Sequence, residues 1–366
     1  MKSQRYYSQV IEILQEKVCT RNQLAKELKI SMPTTLQVVN DLLEKDVILE
    51  EDSSESTGGR KAKYLSLNAQ AAYTLGISIN LHHIRLGLVD YKGEILHDQR
   101  EELAFEDKPN WYECLKSVAT DFLQKYGIKE DELLCVGISF PGIINDVNRW
   151  ILHSHIFHLH NISLDRFEKM FSVPVEVFND ANCGGYAELH SYGDSYLYLS
   201  LNESVGGAII IHGQLYQGQS FHAGEIGHMI LVPGGRQCYC GKIGCADPYL
   251  KVSNLVDEDR DIYRFDEKLK SGDKEALEKW NQYLECLAIF ITNLRMLLDM
   301  DIIVGGEVGK IIDSYLPDLV KKMVPYDLFA RDIDYVYASK VKKCANAIGA
   351  ARLALAKYRD KIIQQD

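Results

Sequence analysis

Four residues able to ligate a metal, His228, Cys238, Cys240 and Cys245, fall within eighteen positions of one stretch, GEIGHMILVPGGRQCYCGKIGCAD, running from Gly224 to Asp247. Three thiols and one imidazole are the donor set of a tetrahedral structural zinc site. The glycines of Cys-x-Cys-Gly-x-x-Gly-Cys stand where the chain must fold back tightly for three sulfurs to converge. Free cysteines are common in buried positions, but clustering, glycines and the upstream histidine all favour Zn2+ held by these four. A loop tied at four points belongs to neither a helix nor a strand, and it must fix what flanks it. Here the flanks are carboxylates, Glu225 and Asp247, so the loop reads as the support of a site.

At 366 residues the chain is long enough for two or three domains. Its 46% hydrophobic and 25% charged content is that of a globular protein with a substantial core. No apolar run approaches the roughly 20 residues of a membrane span. The start, MKSQRYYSQVIEILQ, lacks the apolar centre of a signal peptide. A cytoplasmic protein without a membrane partner is expected, and nine cysteines then mean a metal site plus buried thiols, not disulfides. The net charge of −11 is unevenly spread: over residues 1–70, ten Lys and Arg balance ten Asp and Glu. That neutral segment is electrostatically distinct from the acidic remainder.

Its pattern is that of a DNA-binding module. Tyr6, Val10, Ile13 and Leu14 give an amphipathic first helix. Thr20, with Gln23 as capping-box partner, starts a second helix whose apolar face is Leu24 and Leu28. Ser31 caps a third, with Pro33 in its first turn, and this helix is expected to run to about Lys45 and bury Leu36, Val39, Leu42 and Leu43. Thr34, Thr35 and Gln37 then face outward beside Ser31, suited to base edges. Two alternating segments, Val47–Leu49 and Lys63–Leu67, form a hairpin wing whose tip, Gly58-Gly59-Arg60-Lys61, offers Arg60 and Lys61 to phosphates or a minor groove. The whole is a winged helix-turn-helix.

Beyond it the chain alternates strands and helices. Thr74–Ile79 and Ile84–Asp90 are paired strands, with a third strand near Ile95. A helix spans residues 111–126, and apolar strands follow at Leu133–Ser139 and Val173–Phe178. Tyr196–Ser200 and Ala208–Ile211 repeat the paired-strand opening, and helices dominate after Glu275. An α/β fold with two similar lobes and a ligand between them is expected. The boundaries are 1–70 for the winged module, 71–178 for the first lobe and 179–366 for the second, with the C-terminal helix free to return to the first lobe.

The motifs Ser139-Phe140-Pro141-Gly142, Phe178-Asn179-Asp180-Ala181-Asn182, Glu225-Ile226-Gly227-His228 and the Cys238–Asp247 loop resemble those of the ROK family of repressors, open reading frames and sugar kinases. The likeness covers nearly the whole chain and points to the repressor branch, which carries a winged helix-turn-helix. It implies a duplicated actin-like, ribonuclease-H-like, sugar-kinase-like bilobal body. It also implies that Asn179, Asp180, Glu225, His228 and Asp247 bind sugar, with Gly142 close by. Asp180 stands at the general-base position of the kinase members. The family usually has Glu where this chain has Asp247, a change of one methylene that bears on which hydroxyl is read.

Kinase members also carry an Asp-x-Gly-Gly-Thr-Lys-type phosphate loop after the first strand. This chain has Ser78-Ile79-Asn80-Leu81-His82-His83 there: the aspartate is missing, both glycines are replaced, and Leu81 crowds the phosphate position. The second loop, Asn202–Ala208, keeps Gly206 and Gly207 but sets Glu203 against the phosphates. No catalytic residue is expected to function, and Asp180 is a vestigial base. His153–Asn161 contains alternating histidines; on a strand His158 and His160 would share one face, as a second metal site would need. No carboxylate cluster accompanies them, so a ligand-proximal loop is expected in which one or two histidines tune sugar choice. Together these expectations describe a sugar-responsive regulator of transcription. Its partners are operator DNA, a monosaccharide or derivative, and a second copy of itself, as a homodimer or dimer of dimers. The alternative is an ATP-dependent sugar kinase with an accessory DNA-binding domain.

Overall fold

The structure is a computed structural model that describes residues 2–52, 63–145, 147–189, 191–329 and 333–363. Its first unit comprises α1 (Lys2–Glu16), α2 (Arg21–Leu28), α3 (Met32–Glu44), β1 (Ile48–Asp52) and β2 (Lys63–Leu67). Thr20 caps α2 through the expected capping box with Gln23, and Ser31 caps α3 by accepting the amide of Thr34. β1 pairs antiparallel with β2, Ile48 opposite Leu67. This is a winged helix-turn-helix. Arg60 and Lys61 lie outside the described residues.

The phase of α3 differs from the expected one. Thr35, Val38, Val39 and Leu42 face inward, and Leu36 is 37% exposed. These four buried positions follow the i, i+3, i+4, i+7 stripe of a helix set against a core. Grouping the apolar residues had placed Leu36 inside, rotated by one residue. Thr35 takes that place because its hydroxyl donates to the Ser31 carbonyl at 3.1 Å, so no unpaired polar group is buried. Thr35 is therefore not available to DNA, whereas Ser31, Thr34, Leu36 and Gln37 all retain exposure.

The body holds two five-stranded sheets of matching plan. In the first, β3 (Tyr73–Ile79), β4 (Ile84–Asp90) and β5 (Ile95–Glu101) form an antiparallel meander. After α4 (Pro109–Lys125), β6 (Leu133–Phe140) pairs parallel to β3. A small sheet of β7 (Ile143–Asn145), β8 (Trp150–Ser154) and β9 (Leu159–Ser163) and the short α5 (Asp165–Glu168) precede β10 (Val175–Asn179), which adds parallel to β6. After α6 (Asp180–Ala187), the plan recurs. β11 (Tyr196–Leu201), β12 (Val205–Ile211) and β13 (Gln214–Tyr216) form the second meander. The chain continues through α7 (Asp247–Leu250), α8 (Ile262–Ser271) and α9 (Lys274–Leu298) to β14 (Asp301–Gly305), parallel to β11. Past α10 (Gly306–Gly309) and α11 (Leu316–Met323) lies β15 (Val336–Ala338), parallel to β14, and then α12 (Ala345–Tyr358).

α12 returns to the first sheet. A Cβ built on Gly76 of β3 would lie 1.8 Å from the Ala347 carbonyl oxygen, so helix and sheet meet backbone to backbone. On its other side, a Cβ on Gly349 would lie 1.7 Å from the carbonyl oxygen of Cys183 in α6. α6 and α12 thus cross at a contact that admits no side chain. Gly349→Ala is expected to cost about 1–3 kcal/mol through overpacking and to lower the melting temperature by several degrees in calorimetry. A melting point unchanged within a degree would refute this contact.

The winged module shares a hydrophobic core with the body. Val10, Leu24, Val39 and Leu65 belong to one buried cluster with Tyr91, Cys135, Ala351 and Leu355. Polar ties reinforce it: Ser8 donates to Asp360 at 2.5 Å, Arg359 to the side chain of Gln15, and the buried Tyr91 hydroxyl to the Arg359 carbonyl at 3.2 Å. Among the described residues no helix is long and apolar enough to cross a membrane.

Candidate functional site

Where β10 ends and α6 begins, the chain turns into a cavity of about 290 Å³ between the lobes. Gly142, Asn179, Asp180, Glu225 and His228 all line it, so five of the six residues assigned to sugar by resemblance come together. Asn179 is held on both sides of its amide. Its oxygen caps α6 by accepting the Asn182 amide at 3.0 Å, and its nitrogen donates to the Gly142 carbonyl at 2.9 Å. One N–H and one lone pair remain for a ligand. Gly142, at φ 155°, lies where a Cβ would sit 2.6 Å from the His153 carbonyl oxygen. Its missing side chain serves the fit of this turn against β8.

Asp180 opens α6 inside the cavity. Burial pushes its carboxyl up to about 6, and the negative charge of Glu225 adds to the rise, while the amides of Ala181 and of Asp180 itself oppose it. Glu225 is also raised, by burial, against the pull of His228 and His222. Two carboxylates therefore share a site that disfavours both charges.

Asp247 sits elsewhere. It is 2% exposed and does not line the cavity, and its Oδ2 accepts the amide of Val205 at 2.8 Å. It bolts the end of the cysteine loop to the start of β12.

The cysteine loop gathers its four donors as expected. The ligand atoms of His228, Cys238, Cys240 and Cys245 all lie within 4.8 Å of one another. Cys240 Sγ and Cys245 Sγ are 3.7 Å apart, and Cys238 Sγ lies 3.6 Å from His228 Nδ1. Tetrahedral zinc, with bonds of about 2.3 Å to sulfur and about 2.1 Å to nitrogen, separates two sulfurs by about 3.8 Å and a sulfur from a nitrogen by about 3.6 Å. The residues fit a metal of that kind. Gly244, at φ 86°, makes the tight return possible: a Cβ there would lie 2.0 Å from the Val232 carbonyl oxygen. With Nδ1 on the sulfur side, His228 directs Nε2 toward Tyr239 Oη at 3.3 Å and Glu225 Oε2 at 3.9 Å. The imidazole thus links the donor cluster to the cavity wall.

The histidine-rich segment borders the cavity, and it is a strand, a turn and a strand. His158 sits in the tight turn between β8 and β9 with φ 53°, and His160 pairs across strands with His153, their Nδ1 atoms 2.9 Å apart. His153 and His155 are the ones that line the cavity. The His155 ring packs on Tyr239, centroids 4.3 Å apart, so the first lobe touches the cysteine loop across the cleft. Nothing in the local sequence marks Tyr239 as a cavity residue: its role comes from His155 and His228, which are remote from it in the chain.

The former phosphate-loop position is closed on itself. Asn80 donates its amide to the His83 carbonyl at 3.0 Å, and Arg260 of the second lobe meets His82 at 3.4 Å. Leu81 is 40% exposed there.

A family model described as ROK family matches residues 74–357. The xylose repressor of Bacillus spizizenii is 31% identical over 255 residues, a match spanning 67% of this chain and 65% of that relative's own length. A solved ROK family transcriptional regulator, a homologue of the E. coli MLC protein, superposes with a TM-score of 0.78 at 20% identity, covering 100% of this chain and 98% of the other. The ROK hexokinase of Thermus thermophilus superposes with a TM-score of 0.64 at 23% identity, over 79% of this chain and 99% of the enzyme. Repressor and kinase share the body's fold.

Proposed function

The chain belongs to the ROK family, and from that premise we propose that it is a sugar-responsive transcriptional repressor and not a kinase. The carrying observation is that one chain joins a winged helix-turn-helix, by a continuous core, to a body whose cleft keeps Asn179, Asp180, Glu225 and His228. The phosphate loop that a kinase needs is replaced by Ser78–His83. The repressor matched over part of its length points the same way.

In this reading, a dimer sets two α3 helices in successive major grooves of a two-fold operator. Ser31, Thr34 and Gln37 face base edges, and the exposed Leu36 offers an apolar contact to a thymine methyl. Arg60 and Lys61 of the wing reach the backbone. Leu36→Ala and Gln37→Ala are each expected to weaken operator binding about tenfold or more, the 1–3 kcal/mol of a base contact, with melting unchanged. Thr35→Val is expected to lower stability instead. Undiminished affinity in both Leu36→Ala and Gln37→Ala would show that this face of α3 does not read bases.

His228, Cys238, Cys240 and Cys245 would hold Zn2+, which when bound would supply a rigid frame for the loop that bears Glu225 and Tyr239. Sugar bound at Asp180 bears on the start of α6. α6 meets α12 at Gly349, and the chain just beyond α12 holds α1 through Arg359 and Asp360. Sugar shifts operator affinity only by its preference for one arrangement of these parts. Gel shifts with a sugar panel test the proposal, and operator binding indifferent to every sugar defeats it. The kinase alternative is met by an ATP-consumption assay on the same panel, where no turnover is expected.

A further inference from the structure

The β8–β9 hairpin brings together imidazoles that the cysteine loop does not use. Antiparallel register sets His153 opposite His160, and their Nδ1 atoms stand 2.9 Å apart. His155, two residues on from His153, lies edge-on against the same ring, centroids 4.0 Å apart. Three imidazoles thus meet at one place on the first lobe. His155 and His160 are exposed and His153 is half-buried, so an ion in solution reaches them.

The hairpin is anchored beneath these rings. Ser154, between His153 and His155, is fully buried and donates to the Pro141 carbonyl at 2.5 Å. Phe157 in the turn packs on Phe105 and Phe140, with ring centroids 4.4 and 4.9 Å away. The turn closes through the His158 amide, which donates to the His155 carbonyl at 3.2 Å. Donors placed in advance on such a frame lose little freedom when they bind.

The spacing of the two nitrogens selects a geometry. With bonds of about 2.05 Å to imidazole, donors 2.9 Å apart subtend about 90° at a shared ion. Tetrahedral zinc would hold two such nitrogens about 3.3 Å apart. A right angle is the cis angle of square-planar and tetragonal sites, the preference of Cu2+ and Ni2+. Imidazole suits these ions without help from carboxylates, and His153–Asn161 has no Asp or Glu. Burial and the neighbouring His160 hold His153 below the ordinary histidine range. Its ring is therefore neutral at pH 7, the form that ligates.

We propose that His153 and His160 hold a second divalent ion, of the Ni2+ or Cu2+ class, cis to one another, with His155 beside them as a third imidazole. The site differs from the cysteine loop in donors and in angle: nitrogen in place of sulfur, a right angle in place of a tetrahedron. His153 and His155 also line the cavity, so the ion braces its rim. It needs neither sugar nor operator to bind.

The test is calorimetric titration of the full chain, zinc-loaded at the cysteine loop, with Ni2+. One Ni2+ per chain is expected to bind while the zinc content stays unchanged. His153→Gln and His160→Gln are each expected to weaken that binding about tenfold or more, since even an outer partner of a ligand is worth about 10–100-fold in metal affinity. Because His160 is exposed, its variant is expected to keep the melting temperature of the unmodified protein without Ni2+. It should lose the rise that Ni2+ gives the unmodified protein by mass action. Failure to bind Ni2+ overturns the site and leaves the 2.9 Å contact as a hydrogen bond between two imidazoles. Ni2+ taken up only in exchange for zinc, or bound equally by both glutamine variants, overturns it too by placing the ion elsewhere.

Discussion

Cys240→Ser is expected to strip the bound metal from the protein and abolish its response to sugar while operator binding persists. The cysteine loop is held by scattered single hydrogen bonds, such as Gly244 N to the Arg236 carbonyl at 2.8 Å and Arg236 Nη1 to the Pro248 carbonyl at 2.9 Å, and by no ladder of regular structure. Between Gly234 and Gly244 the backbone makes short turns, with bonds such as Cys238 N to the Lys242 carbonyl at 2.8 Å, and contains no regular element. A structural zinc site contributes folding free energy directly, because its ligands are not assembled without the ion. Loss of one thiolate therefore frees Tyr239 and His228 together, and with them the wall that meets His155 and Glu225. The winged module rests on a different cluster, built with Tyr91 and α12, and is expected to keep its fold. Metal analysis should fall from about one ion per chain to near none, with a lower melting temperature. A strong chelator should reproduce the change in the unmodified protein. A metal-free variant that still responds to sugar would remove the ion from the mechanism.

Local chemistry is what the sequence disclosed. The four donors lie within one loop, so their identity and spacing sufficed. Caps behaved likewise: Thr20 with Gln23 and Ser31 with Thr34 are contacts across three residues. Errors arose where partners are remote. Thr35 and Leu36 exchanged roles because only packing against α1 and the wing decides which stripe of α3 is inside. Which histidines of His153–Asn161 reach the cavity was not legible, because a tight turn and cross-strand register select His153 and His155. Asp247 looked like a ligand-reading residue by its place after the last cysteine. Its partner is the Val205 amide, 42 residues earlier in the chain, which no local spacing discloses. The return of α12 to the first sheet was foreseen only as an option, and the bare backbones of Gly76 and Gly349 are what permit it.

Glu225→Ala and Asp180→Ala should each weaken sugar binding by about 10- to 100-fold and leave a repressor that sugar no longer releases. The magnitude follows from chemistry. A hydrogen bond to a charged group contributes about 1.5–3 kcal/mol, and each 1.4 kcal/mol is tenfold in affinity. A sugar presents paired hydroxyls, so a carboxylate able to accept two is worth the upper part of that range. Asp180 also fixes a pH dependence. Its carboxyl is pushed up to about 6, by burial and by Glu225, and the ionised form accepts from hydroxyls roughly twice as strongly as the neutral one. Affinity should therefore fall as pH drops through 6, and Asp180→Asn should flatten that part of the profile. The same raised value has the opposite consequence for folding. The unfolded carboxyl ionises near 4, so between pH 4 and 6 the folded state binds the extra proton, and stability contributed by Asp180 is lost as pH rises through 6. Asp180→Asn is thus expected to melt higher than the unmodified protein at pH 7.5 and no higher at pH 4. A carboxylate that costs stability and gains affinity is one kept for a ligand. If instead both alanine variants bind sugar normally, or respond normally to it in operator release, the cavity is a relic and control passes through a partner protein.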